Sequence, residues 1–456
     1  MHLVDAVQRL GIGHLFEEEI SSTLSDINGC EFNSSSLHEV ALRFRLLREH
    51  GFSVSSDAFN KFRGEDGRFM SGLADDPRGL LSLYNAAHLQ IHDEPELEEA
   101  VSFAKQHLQS MSDQLKPPLI NQVNRALHLS LPRSFKRVET LRYMVEYEQE
   151  EGHIPVLVEL AKIDFNLLQQ VHLKELKAIS TWWKDLYAYV ELSYVRDRVV
   201  ESYVWSHTVK LNQAIQRLDF VISNYGNFHK QIQLNDEKQP QYMKKFYIAL
   251  LNNFKVFEAQ VAVDAKHQVA HVRNEFQKLS SYYLQEAEWS HEDHKPSFKE
   301  RAILSTKTSA VPLLCAAASV GRRSSSDVVK SFELATTYTA ALIACSKIMR
   351  LMNDIAAFKC RRKDKGDAAS TVECYMNEHK VTSEDALAVI DSLIEHQWKT
   401  LNQARCQHRE LLPAMQRVVN LAISVPFFYG KKKDAFTSSD LLQEVVQSLF
   451  VNPVPF

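Results

Sequence analysis

Three arginines in this chain are spaced so that they could act together on an anion. Arg196 and Arg198 stand two residues apart in Arg196-Asp197-Arg198, and Arg350 stands three residues ahead of Asn353-Asp354. Residues two apart on a helix point to nearly opposite faces. If Arg196 and Arg198 grip one ligand, their segment must be a loop. Guanidinium forks match phosphate oxygens two at a time, so such a loop would clamp a diphosphate. The plainer alternative is a pair of solvated arginines, because arginine is ordinarily a surface residue.

The cluster after Arg350 carries oxygen. Asn353, Ala357 and Arg361 fall at i, i+4 and i+8, on one face of one helix. Magnesium takes a compact octahedron of oxygens, and three oxygen side chains on that stripe would chelate it. Here only Asn353 offers one. Ala357 has none, Arg361 repels a cation, and Asp364 is the nearest substitute if the helix continues. Asp354 faces another side, where it can pair with Arg350. Further on, Tyr429, Asp434 and Phe436 form a Tyr-x4-Asp-x-Phe pattern behind an apolar helix. Aromatic faces over a pocket would steady a carbocation, at about 0.5–2 kcal/mol per contact. The same spacing also suits ordinary core aromatics.

Other patterns carry less. Asp75-Asp76 is the one adjacent aspartate pair, and it runs into Pro77-Arg78-Gly79. It reads as a helix start with favourable dipole charge. His291-Glu292-Asp293-His294 lacks the i, i+4 histidines of a zinc helix. The basic runs Arg361–Lys365 and Lys431–Lys433 read as solvated loops.

The elements that hold these residues are helices. The chain has 456 residues, enough for two or three domains. It is 45% hydrophobic and 24% charged, a globular profile with material for large cores. With only 13 Gly and 13 Pro, it has too few turn residues for many short strands. Leu160, Ile163, Leu167 and Val171 step by 3, 4 and 4 and make one apolar stripe. Stretches near 96–111, 242–285, 328–358 and 384–409 behave the same way, and no run shows strand alternation. The fold class expected is all-α. Prolines and charges cluster between Leu131-Pro132-Arg133 and Gly152-His153-Ile154-Pro155, which suggests two domains, 1–145 and 146–456. The Asn/Gln-rich stretch 219–240 reads as a surface loop.

A net charge of -4 gives no reason for broad nucleic-acid binding. Six cysteines without a CxxC pair suit the reduced thiols of a cytosol-like compartment. No apolar run reaches membrane-spanning length, and Met1 leads directly into domain-like sequence without a leader peptide. The expectation is a cytoplasmic monomer with no membrane span and no nucleic-acid partner.

Taken together, these residues resemble the plant terpene synthase family over nearly the whole chain. The stretch Phe52-Ser53-Val54-Ser55-Ser56-Asp57-Ala58-Phe59 is similar to that family's N-terminal domain, as is Leu80-Leu81-Ser82-Leu83-Tyr84-Asn85-Ala86-Ala87. Ala161-Lys162-Ile163-Asp164-Phe165-Asn166-Leu167-Leu168-Gln169 and Trp182-Trp183-Lys184-Asp185-Leu186 resemble its domain junction. Glu286-Ala287-Glu288-Trp289 and the terminal Val451-Asn452-Pro453-Val454-Pro455 also fit. The resemblance implies two α-helical domains, a barrel-like N-terminal one and a C-terminal class I bundle. The bundle holds an apolar pocket capped by Mg2+, with Mn2+ as the alternative. The implied activity is that of a lyase. It would ionise and cyclise an allylic diphosphate, farnesyl diphosphate above all, to a sesquiterpene and release diphosphate.

The family's residues carry over one at a time. Its diphosphate-binding arginines fall on Arg196, Arg198 and Arg350, and its pocket tryptophan on Trp205. Its second metal motif begins on Asn353 and Asp354, but its Ser/Thr/Gly position falls on Ala357 and its glutamate on Arg361. Its C-terminal Tyr-x4-Asp pattern falls on Tyr429, Asp434, Ala435 and Phe436. The first metal motif, Asp-Asp-x-x-Asp, has no counterpart. Several tens of residues are missing between Trp205 and Arg217, where Ser206-His207-Thr208-Val209-Lys210 runs straight into Leu211-Asn212-Gln213. The family's arginine–tryptophan segment would stand ahead of Met1. So short a set of metal ligands implies poor turnover. The alternatives are a non-catalytic or mis-spliced family member and, from another class, a helical interaction scaffold.

Overall fold

The computed structural model describes residues 1–190, 197–208, 241–263, 266–292, 294–320, 339–360, 369–430 and 433–456. Among them the fold is all-α, as expected. The extended contact found is an isolated bridge between Arg63 and Phe69. Arg196, Arg361, Asp364, Asp293 and the stretch 219–240 lie outside the described residues.

The chain forms two compact units. Unit 1 comprises Met1–Val171, Trp398–Leu412 and Gln443–Phe456, and unit 2 comprises His172–Gln397 and Pro413–Leu442. In chain order the helices begin with α1 (His2–Arg9), α2 (Glu17–Gly29), α3 (Leu37–Glu49), α4 (Pro77–Ala87), α5 (Pro95–Ser110), α6 (Leu119–His128) and α7 (Lys136–Tyr147). Next come α8 (Pro155–Val190), α9 (Val199–Thr208), α10 (Gln241–Gln260), α11 (Lys266–His291), α12 (Phe298–Lys307) and α13 (Val311–Ser319). The last are α14 (Ala340–Lys359), α15 (Thr371–His379), α16 (Ser383–Gln407), α17 (Leu412–Tyr429) and α18 (Gln443–Phe450).

The starts of these helices follow from local chemistry. Asp76 caps α4, its carboxylate accepting the Gly79 N–H at 2.8 Å, and Pro77 fills the first turn. The aspartate pair is thus a helix start, as its sequence suggested. A Cβ at Gly79 would lie 2.0 Å from the Asp76 carboxylate, so with any larger residue there the cap would have to shift. Ser297 with Glu300 and Ser370 with Glu373 make reciprocal capping boxes for α12 and α15.

In unit 1, α4 packs against α3 and α5 around Phe44, Phe59, Leu80, Leu83 and Leu97. Ion pairs join Asp5 to Arg45, and Arg9 and Arg125 to Glu139, so α1, α3, α6 and α7 are tied together. The Asn166 and Gln169 side chains bind the backbone of Val454 and Asn452. Two stretches that looked like family signatures therefore fasten each other. Unit 1 also carries a half-open cavity of about 710 Å³ among α1, α3, α4, α6 and α7, with Arg9, His38, Arg125 and Tyr143 in its lining. None of the site residues expected from sequence lines it. In unit 2, α11 packs on α10 and α13, and α12 packs on α14 and α15.

Two expectations need correction, and the contacts divide the chain at another place than the sequence reading. The apolar stripe of α8 exists but faces outward, with Ile163, Leu167 and Val171 45%, 57% and 48% exposed. The buried line is Val158, Ala161, Phe165 and Gln169. The division at 145/146 is not where the contacts part. Gly152 turns the chain at positive φ, Pro155 then opens a helix, and unit 1 runs on to Val171 within α8. Finally, Phe298–Ser319 and Arg409–Tyr429 do reach spanning length and hydropathy, but 78% and 67% of their apolar windows are buried in the protein, as in core helices.

Candidate active site

The site in unit 2 is assembled from α9, α14, α17 and the turn after α17. Asp197 accepts the Val199 N–H at 3.2 Å and so starts α9, which leaves Arg198 outside the helix, as a loop reading required. Arg198 is buried. Its guanidinium donates to the Phe436 carbonyl and lies 5.3 Å from the centre of the Phe436 ring. Two turns into α9, Trp205 stacks on Phe428 at 4.4 Å and 12°. It also meets Tyr429 and Phe436, each at 6.4 Å between ring centres. Phe428 and Phe436 close the group edge to face at 5.8 Å.

The turn is built by Asp434. Its carboxylate accepts the Thr437 N–H at 2.9 Å and hydroxyl at 2.8 Å, while the Ala435 N–H returns to the Phe428 carbonyl at 2.9 Å. This turn brings Phe436 back over Trp205. Trp205, Tyr429 and Phe436 therefore share one aromatic wall. Phe428 belongs to it too and was missed. The signal was the run Phe427-Phe428-Tyr429, but one run does not say which ring faces inward.

On α14, Arg350 and Asp354 are one turn apart and their charged atoms lie 3.5 Å apart. Asn353 hydrogen-bonds with the Tyr429 side chain, which joins α14 to the aromatic wall. Burial, followed by the nearby Asp434 carboxylate, pushes the Tyr429 hydroxyl well above its ordinary pKa, while Arg350 and Arg198 pull the other way. Tyr429 thus stays a neutral donor at physiological pH. Burial opposes the Arg350 charge, but Asp354 and then Glu286 outweigh it, so the guanidinium is held more firmly protonated than usual. Among the described residues its buried Nε has no hydrogen-bond acceptor. Glu286 is itself fixed by Arg301 and Thr308, each at 2.9 Å. Sequence reasoning had quoted Glu286 without giving it a task.

Asp354, the second metal ligand expected, is engaged within the protein. One of its oxygens accepts both the N–H and the hydroxyl of Thr371, at 2.9 and 2.8 Å, and the residue is 4% exposed. Ala357, one turn past Asn353, has no donor atom, and α14 ends at Lys359. Among the described residues no three His, Cys, Asp or Glu side chains gather to hold a metal. Magnesium needs several oxygens in a near-regular octahedron. Of the motif, the described residues supply Asn353 alone, so by themselves they do not make a magnesium site.

Comparisons with known proteins bear on the family and the fold. Residues 1–127 match the family model described as terpene synthase, N-terminal domain, and residues 210–400 the one described as terpene synthase family, metal binding domain. The chain is 44% identical to tau-cadinol synthase of Zea mays, over all of this chain and 88% of the relative. It is 42% identical to alpha-copaene synthase of Zea mays, over all of this chain and 90% of the relative. The pairing with tau-cadinol synthase spans 486 positions against 456 residues here, so the difference, 30, is about the number of its residues that face nothing in this chain. The fold is similar to that of isoprene synthase from grey poplar leaves (Populus x canescens), solved with three Mg2+ ions and dimethylallyl-S-thiolodiphosphate. The TM-score is 0.85 at 29% identity, covering all of this chain and 92% of that one.

Proposed function

Because the chain belongs to the terpene synthase family, we propose that it binds an allylic diphosphate, farnesyl diphosphate above all, and ionises it only slowly. The observation that carries this reading is the meeting of Arg198, Arg350, Asn353 and Tyr429 beside the wall of Trp205, Phe428 and Phe436. Guanidinium groups favour the phosphate oxygens, and the rings favour the isoprenoid chain and any cation formed from it. The magnesium that family membership brings supplies Lewis-acid pull on the leaving group when bound. The chain's own residues supply the rest. Arg350 meets charge as it develops on the diphosphate, the neutral Tyr429 adds no negative charge to the pocket, and the stacked rings exclude water.

The scarcity of metal ligands is the ground for slow ionisation. Losing one positioned donor costs about 10²–10³ in rate in well-studied cases, and this sequence lacks Asp-Asp-x-x-Asp and carries Ala357 and Arg361 in the second motif. We propose a cytoplasmic monomer. The test is equilibrium binding of farnesyl thiodiphosphate, which resists ionisation, followed by intrinsic tryptophan fluorescence and calorimetry. Saturable binding that weakens on Arg350→Gln supports the reading. Absence of binding with and without magnesium overturns it.

A further inference from the structure

We propose that Asp354 is a positioning residue: anchored on the start of α15, it aims the Arg350 guanidinium at the anionic end of the ligand. The inference rests on the reading above, in which Arg350 meets a diphosphate, and it assigns Asp354 and Thr371 tasks within that site.

The geometry carries the argument. The Thr371 N–H is one of the first amides of α15, which have no partner inside their own helix. Asp354 accepts it and the Thr371 hydroxyl with a single oxygen, so the carboxylate is fixed whether or not Arg350 is present. A negative charge at a helix start is also favoured by the helix dipole. The second oxygen then stands 3.5 Å from Nη2 of Arg350. Arg350 and Asp354 share one turn of α14, so this contact selects one orientation of a long, rotatable side chain. Glu286, held in place by Arg301 and Thr308, is a second fixed carboxylate whose charge acts on Arg350. Held in this way, Arg350 keeps an Nε–H that no described residue accepts. A phosphate oxygen is the kind of acceptor that would satisfy it. One Asp354 oxygen is taken up by Thr371 and the other faces Arg350, so the carboxylate serves the protein's own groups.

The test uses inorganic pyrophosphate and isothermal calorimetry on the full chain, in EDTA and then in magnesium. Asp354→Asn is the informative variant. Its amide oxygen keeps both Thr371 bonds, while its NH2 group turns a donor toward the guanidinium. We expect affinity in EDTA to fall about tenfold, as for loss of a partly buried charged pair. In an Arg350→Gln background the same change should cost nothing further, because coupled residues are not additive. Thr371→Ser keeps both donors and should bind like wild type. Full affinity of Asp354→Asn in EDTA, with a loss seen only in magnesium, would make Asp354 a metal ligand and overturn the proposal. Losses that multiply in the double variant would overturn it as well. If wild type binds no pyrophosphate in either buffer, the functional reading fails, and the crystal structure of Asp354→Asn decides this one. A displaced Arg350 guanidinium supports the proposal, and an unmoved one refutes it.

Discussion

Truncating Trp205 probes the aromatic wall most severely. The indole is 7% exposed, lies flat on Phe428 at 4.4 Å, and meets Tyr429 and Phe436. Trp205→Ala removes this ring from a packed interior and leaves a cavity, which typically costs about 3–5 kcal/mol. The ring pairs account for about 0.5–1.5 kcal/mol apiece beyond the area they bury. Against a total stability of about 5–15 kcal/mol, unit 2 should remain folded but be much weakened. At about 2–4 °C per kcal/mol, its unfolding midpoint should fall by roughly 10 °C. Trp205→Phe keeps a ring on Phe428 and should recover about half of the loss. The assay is thermal unfolding followed by near-ultraviolet circular dichroism, paired with urea titration. A cost below about 1 kcal/mol for Trp205→Ala, the range of surface changes, would show that Trp205 is not packed against Phe428 and Phe436.

Acid should weaken unit 1. Burial, aided by Arg78 and His2, pulls the His38 imidazole down to about 4. The unfolded chain takes up that proton near 6.5, so stability is intact above that pH and is lost as pH falls toward 4. His38→Gln should flatten the unfolding midpoint measured across this range, and an unchanged slope would exclude His38 as the source. At the start of α4, Asp76→Ala should cost about 1 kcal/mol as a lost cap. Gly79→Ala should cost no more than Asp76→Ala by urea titration, because the Asp76 carboxylate can swing away from the new Cβ at the loss of its cap bond while alanine favours the helix, and a larger cost would show that the backbone must move instead. Among the cysteines, Cys30 and Cys360 are exposed, while burial lifts the Cys315 thiol to about 12. Native alkylation read by mass spectrometry should mark Cys30 and Cys360 and spare Cys315.

What the sequence disclosed depended on whether a residue's partner lay within its own pattern. The Tyr429, Asp434 and Phe436 spacing encoded a turn, and the turn alone returns Phe436 to Trp205. The Asp75-Asp76-Pro77 start was readable because a cap and its amide are three residues apart. Asp354 was readable only in part: Arg350 lies one turn away in the same helix, but Thr371 lies 17 residues on, across a helix end. The outward stripe of α8 has the same lesson. Periodicity marks a helical face, but Val158, Ala161, Phe165 and Gln169 form the buried one, with a small residue and an amide that no hydrophobic count would choose. Gln169 is buried because it holds the backbone of Ser448 and Asn452, a long-range task invisible in local sequence. The contacts part later than the break read near 145. Prolines and glycine punctuate a chain, yet Pro155 opens a 36-residue helix and separates nothing.

The central claim is that the arginine and aromatic groups recognise an allylic diphosphate while the metal ligands needed to ionise it quickly are too few. The direct measurement incubates the purified chain with farnesyl diphosphate and excess magnesium and reads volatile products by gas chromatography–mass spectrometry. The same samples are assayed for retained, unreacted substrate. The account expects bound farnesyl diphosphate with little or no sesquiterpene. Robust cyclic sesquiterpene output that disappears on Asn353→Ala would contradict it, and would mean that the chain completes its metal site with ligands outside the motif.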